Sequence, residues 1–103
     1  MVNKHSGFAY QRIITFGNDD LTPSVAGGCV FKTATAHGAA RNITMFDGGV
    51  AGQVIYIISS NPANATTIVD GGDLLIGGDW IDGAEKTLVL IFDGADWYEI
   101  CRI

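Results

Sequence analysis

The side chains that most often act as bases, nucleophiles and metal ligands are few in this chain and lack catalytic spacing. His5 and His37 are the only histidines, and neither lies in an HxH or HExxH pattern. None of the four serines stands in a GxSxG context. Only two glutamates are present, and four of the nine aspartates directly precede glycine, where they favour turns. These patterns predict a protein that is not an enzyme and has no cofactor.

The segment "GGDLLIGGD", residues 71–79, is the one place where carboxylates could gather around a hard cation. Asp70, Asp73, Asp79 and Asp82 could supply the oxygen ligands that calcium prefers. The segment lacks the GGxGxD alternation of calcium-binding repeats. The prediction is therefore no metal site, with calcium as an open alternative.

The same region carries the best candidate for an exposed aromatic side chain. Trp80 lies between Asp79 and Asp82 in a stretch that is predicted to be a loop, whereas Trp97 is expected to pack inside. An exposed indole beside carboxylates can stack on a sugar ring. Asp79, Trp80 and Asp82 therefore define an alternative function, a carbohydrate-binding module.

Charge and composition exclude several partner classes. The net charge is -5, and the six Lys and Arg residues are scattered singly, so no basic stripe exists for nucleic acid. An acidic surface disfavours anionic membranes, no apolar run approaches the length of a membrane span, and the N-terminus has no signal-peptide pattern. Cys29 and Cys101 are too few for a disulfide framework and are expected to be reduced and buried.

The elements that must position these residues are short strands separated by turns. Fourteen glycines punctuate runs rich in Ile, Val, Thr, Phe and Tyr, which is the signature of an all-β chain. The predicted strands are residues 8–16, 29–35, 42–46, 53–59, 66–69, 73–76, 86–92 and 97–103.

A two-residue turn at Gly94-Ala95 predicts a hairpin between the last two strands. Its register places five pairs opposite each other: Phe92 with Trp97, Ile91 with Tyr98, Leu90 with Glu99, Val89 with Ile100 and Leu88 with Cys101.

Two of these strands, 54–58 and 88–92, are apolar on both faces, so each face needs a covering layer. A helix-free chain of 103 residues has material for only two thin layers, unless one β-sandwich curls enough to bury both faces. The low charged fraction, 17%, also favours burial against neighbouring copies. The candidate assembly residues are Tyr56, Leu90, Phe92, Trp97, Tyr98 and Ile100.

A faint repeat bears on the fold. Asp47-Gly48-Gly49, Asp70-Gly71-Gly72 and Asp93-Gly94-Ala95 follow one another at a constant spacing typical of one solenoid winding. Chance Asp-Gly pairs are the alternative in so glycine-rich a chain. The predicted fold is a small antiparallel β-sandwich or a short β-helix-like domain, with residues 1–20 as an N-terminal strand or extension and residues 21–103 as the β module.

The order of motifs over residues 21–103 resembles a module of tailed-bacteriophage tail fibres and tailspikes. The resemblance rests on the segments "LTPSVAGGCVFKTA", "ITMFDGGVAGQVIYII", "TTIVDGGDLLIGG" and "TLVLIFDGADWYEICRI". The last of these ends in a W-[YH]-E-x-x-R-like strand formed by Trp97, Tyr98, Glu99 and Arg102.

This resemblance implies a non-enzymatic virion protein that assembles as an intimate homotrimer, as a trimerisation or capping module of a tail fibre, a tailspike or a head decoration. The implied partners are copies of the chain, other virion proteins and a host surface glycan. The implied location is the virion, after synthesis in the bacterial cytoplasm. Whether the chain is a piece of a longer fibre or a small free-standing protein stays open.

Overall fold

The computed structural model describes residues 12–103, and this part of the chain contains strands and no helix, which confirms the all-β prediction. The strands are β1 Ile13–Thr15, β2 Val30–Lys32, β3 Arg41–Ile43, β4 Val54–Ile58, β5 Thr66–Ile68, β6 Leu74–Leu75, β7 Trp80–Ile81, β8 Thr87–Phe92 and β9 Trp97–Arg102. They form a six-stranded sheet in the order β1-β2-β4-β8-β9-β6 and a three-stranded sheet in the order β3-β5-β7.

Parallel pairing stacks successive windings of the chain. In the large sheet β1 pairs with β2 and β2 with β4, and in the small sheet β3 pairs with β5, all in parallel. A parallel bridge between Ser24 and Asp47 links the windings at a further point. Val30 lies opposite Tyr56 and Arg41 opposite Thr66, so one winding takes about 25 residues. This topology favours the β-helix-like alternative.

Antiparallel strands close the stack at its C-terminal side. β8 pairs with β4, β9 with β8 and β7 with β5 in antiparallel fashion, whereas β6 adds to β9 in parallel. The prediction of an antiparallel sheet is therefore correct only for the β4–β8, β8–β9 and β5–β7 pairs. The last member of the Asp-Gly repeat lies in the β8–β9 turn, so it does not begin another winding.

The β8–β9 hairpin has the predicted turn but only part of the predicted register. Gly94 has a φ of 103°, which suits the first position of a type II′ turn, and the Asp93 carboxylate accepts hydrogen bonds from the next amides, those of Ala95 and Asp96. The first three predicted pairs are correct. A β-bulge between Val89 and Leu90 then shifts the register, so that Val89 faces Cys101 and Leu88 faces Arg102.

An aromatic row runs through the core and joins the windings to the closing hairpin. Phe31 stacks on Phe16 with ring centroids 5.1 Å apart, and Phe16 contacts Phe46 at 5.8 Å. Phe46 meets the edge of Trp97 at 5.8 Å, and Trp97 stacks on Phe92 at 4.6 Å. Around this row pack the fully buried side chains Val25, Ile43, Ile55, Ile57, Ile68, Leu74, Trp80, Leu88 and Leu90.

The described residues before position 21, which are 12–20, pack together with the rest of the described chain. Ile13–Thr15 pairs with β2 inside the six-stranded sheet, and Phe16 lies in the core at 6% exposure. Residues 8–11 of the predicted first strand, and His5, lie outside the described residues.

Gly49 lies where the closing hairpin packs against the second winding. A Cβ added there would lie 2.7 Å from the Trp97 ring and 3.1 Å from the Phe92 ring. We expect Gly49→Ala to lower the free energy of unfolding by about 1–3 kcal/mol, since overpacking a filled core costs that much. Gly83→Ala is the control, because a Cβ at Gly83 meets nothing within 4 Å. Urea denaturation of both variants measures the difference; equal stabilities would contradict the packing described.

Candidate functional site

The outward side of the six-stranded sheet is the main apolar surface of the described chain, and we call it the outer face. Its first row crosses five strands in register: Ile13, Val30, Tyr56, Val89 and Cys101. Its second row comprises Val54, Ile91, Tyr98 and Leu75. The residues between these positions point to the opposite side of the sheet, into the core. The two rows are therefore the outward-facing residues of the strands.

The outer face is exposed although its residues are large and apolar. Ile13 is 53% exposed, Tyr56 47%, Leu75 43%, Tyr98 40% and Ile91 36%. A third row adds Thr15, Lys32, Ile58 and Thr87, and Lys32 is the only charged residue in the three rows. Contiguous apolar patches of this kind usually mark contact surfaces on soluble proteins.

The six predicted assembly residues divide between this surface and the core. Tyr56 and Tyr98 lie on the outer face, and Ile100 is exposed at the β-bulge, at 53%. The other three predicted residues, Leu90, Phe92 and Trp97, point inward and pack within the chain's own core. Their predicted place at an interface is therefore wrong for direct contact, because the strands' period of two puts them on the buried side.

The predicted glycan edge does not form. Trp80 was expected in an exposed loop, but it is in β7 and only 1% exposed, with its ring in the core. Asp82 points the same way as Trp80 and is 7% exposed, and its Oδ1 accepts a hydrogen bond from the Thr66 amide at 2.8 Å. Asp79 alone stays at the surface, so no stacking platform for a sugar exists there.

Three of the four aspartates considered for calcium, Asp70, Asp79 and Asp82, accept hydrogen bonds from backbone amides instead. Asp70 Oδ1 accepts a hydrogen bond from the Ile76 amide, and Asp79 Oδ1 accepts one from the Asp70 amide. Across residues 12–103, no group of three or more His, Cys, Asp or Glu side chains is placed to hold a metal ion. These carboxylates therefore act as turn and loop acceptors in this fold.

His37 is buried in a network that looks at first like a base and a nucleophile. Its Nε2 lies 2.8 Å from the Thr66 hydroxyl, but its Nδ1 accepts a hydrogen bond from the Asp19 amide, also at 2.8 Å. Nδ1 must therefore carry the lone pair, and the neutral ring holds its proton on Nε2, which donates to Thr66. A general base needs a lone pair on the nitrogen that faces the hydroxyl. Thr66 is moreover only 1% exposed, so the pair fits a structural role.

An ion pair near the surface adds to the contacts around His37. Arg41 Nε donates to Asp19 Oδ1 at 2.7 Å, and the Gly38 amide donates to the same oxygen at 2.9 Å. The Arg41 guanidinium, followed by the Gly38 amide, holds the pKa of the Asp19 carboxyl below its usual value. Asp19 and Arg41 belong to successive windings, so this pair ties the coil together.

The last two motif residues of the W-Y-E-x-x-R strand, Glu99 and Arg102, bind the loop between β6 and β7. Arg102 binds Glu99 with two hydrogen bonds of 2.9 Å and 2.8 Å and also donates to the carbonyls of Gly78 and Asp79. Glu99 in turn accepts the Gly77 amide at 2.8 Å. The Arg102 guanidinium, and next the Gly77 amide, lower the pKa of Glu99. These hydrogen bonds hold the loop between β6 and β7 against β9.

The cysteines differ from the prediction in one respect. Both are free, and Cys29 is half-buried, but Cys101 is exposed at the end of the first row of the outer face. The β-bulge is the reason, since Ile100 and Cys101 are consecutive and both exposed. The expectation of two buried thiols is therefore wrong for Cys101.

Two open cavities lie at the surface, and neither gathers catalytic groups. One of about 290 Å³ is lined by Thr44, Val69, Gly71 and Gly72. The other, of about 250 Å³, is lined by Arg12, Ile14, Ala26, Gly27, Gly28 and Cys29. Among residues 12–103, neither lining contains a carboxylate or a histidine, so these residues provide no acid–base pair there.

Gln53 is a structural residue to which the sequence patterns assigned no role. Its side-chain amide donates to the carbonyls of Val25 and Gly28 and accepts the Val50 amide, with distances of 2.8–3.0 Å. It therefore joins the loop before β2 to the turn before β4. The one sequence feature that could have indicated this role is the position of Gln53, a polar residue directly before the apolar run of β4.

Comparisons with known proteins give no match: no family model, no curated protein and no solved structure is similar to this chain. Among the described residues, no helix has the length and apolarity needed to cross a membrane.

Proposed function

We propose that this chain is a non-enzymatic structural protein of a virion, which assembles as a homotrimer and serves as a trimerisation or capping module of a phage tail fibre, a tailspike or a head decoration. The observation that carries the proposal is the outer face, an exposed apolar sheet surface on a chain whose core is already complete. A finished core with a second apolar face is expected of a subunit rather than of a free monomer.

Other features support the structural role. Antiparallel β8 and β9 close the stack of parallel windings, as a cap must. The buried His37–Thr66 pair has the wrong tautomer for base catalysis. Partners on this proposal are copies of the chain and other virion proteins, and the location is the virion. The glycan-binding alternative is not proposed, because the Trp80 ring that should stack on a sugar is buried.

The test is the solution mass of the purified chain, measured by light scattering. The expected value at micromolar concentration is three times the 10.9 kDa of one chain. A mass of 10.9 kDa would contradict assembly as a homotrimer, and a stable mass of twice that value would replace it with a dimer.

A further inference from the structure

We propose that the outer face is the surface through which copies of this chain contact one another, with Tyr56 and Ile91 at the centre of the contact. This inference rests on the proposed homotrimer and specifies which surface forms it. The occupant is a neighbouring copy of the same chain, and the contact is made by sheet faces.

The residues of the outer face are almost all apolar. Its first two rows are Ile, Val, Tyr, Leu and Cys, and Lys32 stands only in the third. The chain as a whole has a net charge of -5, so two copies repel each other through most of their surface. The three rows contain no acidic residue, which makes this face a place where copies can approach without that repulsion.

Charged residues lie at the two ends of the outer face. Lys32 lies in the row at one end of the strands, and Asp93 follows the β8 strand at the other end. The Asp93 carboxylate also raises the pKa of the neighbouring Tyr98 phenol. An apolar centre with polar groups at the margin is the usual anatomy of a protein interface. Opposite charges at the two ends also make the margin complementary to that of another copy.

The short edges of the sheet disfavour the other way in which strands associate. The edge strand β1 has three residues and the edge strand β6 has two. Short edges offer few backbone groups for pairing with another chain. Contact between faces therefore remains as the route that buries Tyr56 and Ile91.

The test compares equal charge insertions on two surfaces. Tyr56→Lys and Ile91→Lys place an ammonium on the outer face, and Ile81→Lys places one at a residue that is 52% exposed in the three-stranded sheet. Light scattering should give the 10.9 kDa monomer mass for both outer-face variants and the wild-type trimer mass for Ile81→Lys. Circular dichroism verifies that each variant keeps its strands.

The outcomes separate this inference from the proposed function. If the wild type is trimeric and both outer-face variants stay trimeric, the interface lies elsewhere, and the homotrimer stands without this surface. If the wild type is monomeric, the homotrimer itself fails. Loss of the trimer in Ile81→Lys as strongly as in the others would also overturn the assignment.

A labelling experiment covers the case in which the charged variants do not fold. In a Cys29→Ser chain, Cys101 is the only thiol, and it ends the first row of the outer face. Its reaction with a maleimide should be slow in the concentrated, assembled protein and should accelerate on dilution to the monomer. A rate that is independent of concentration, while the mass changes, would place Cys101 outside the interface and overturn the proposal.

Discussion

A chain that lacks Trp97 to Ile103 is expected not to fold. The deletion removes the whole of β9, which pairs with β8 on one side and with β6 on the other, so both strands lose a partner. Buried backbone groups left unpaired cost roughly 1–3 kcal/mol each. Since a whole domain is typically stable by only about 5–15 kcal/mol, a few such groups suffice to unfold it. Circular dichroism and the urea transition measure the outcome.

The contribution of the Trp97 ring to stability can be measured separately from that of the β9 strand. Trp97 has no exposed surface and packs between Phe92 and Phe46, so Trp97→Ala should lower the free energy of unfolding by about 3–5 kcal/mol. Ile103→Ala is the control, because this side chain is 76% exposed. A truncated chain that stays folded, with an unchanged transition, would show that the C-terminal strand is dispensable.

The hairpin illustrates how far sequence patterns carry and where they stop. The turn at Gly94-Ala95 and the first three pairs follow from local rules of turn length and alternation. The bulge beyond Leu90 does not, because its cause lies outside the hairpin. Glu99 points toward Gly77 and Arg102 reaches the carbonyls of Gly78 and Asp79, so the β6–β7 loop is held against β9.

The parallel windings were also beyond local patterns. Pairing of β2 with β4 joins residues about 25 apart in sequence, and nothing in either segment fixes its partner. Contacts that set the stack are single polar side chains in loops, such as Gln53, which binds the Val25 and Gly28 carbonyls. Such short strands carry weak signals of their own, so the sequence left both the β-helix-like and the β-sandwich alternatives open.

The sequence pattern, in contrast, predicted correctly that both faces of the sheet are apolar. It did not predict which face is buried in the core and which is exposed. In β4, Ile55 and Ile57 are buried while Tyr56 is exposed. Hydrophobicity alone could not rank the two sides. The side that receives Phe31, Leu88 and Leu90 becomes the core, because their large side chains fill it from the neighbouring strands.

Trp80→Ala is expected to lower the free energy of unfolding by about 3–5 kcal/mol, because the ring is 1% exposed and its removal leaves a large cavity. Trp80→Phe should cost less, since it keeps most of the apolar volume and loses an Nε1–H that has no partner within the described part of the chain. Ile81→Ala is the matched control at the next position, where the side chain points out at 52% exposure.

The comparison decides between the two roles that the sequence allowed for Trp80. A surface aromatic that stacks on a sugar could be truncated with little change in the urea transition, since exposed substitutions usually change stability by less than about 0.5 kcal/mol. A core ring cannot. If Trp80→Ala and Ile81→Ala unfold at the same urea concentration as the wild type, Trp80 is not part of the core. The carbohydrate-binding alternative would then return in place of the purely structural one.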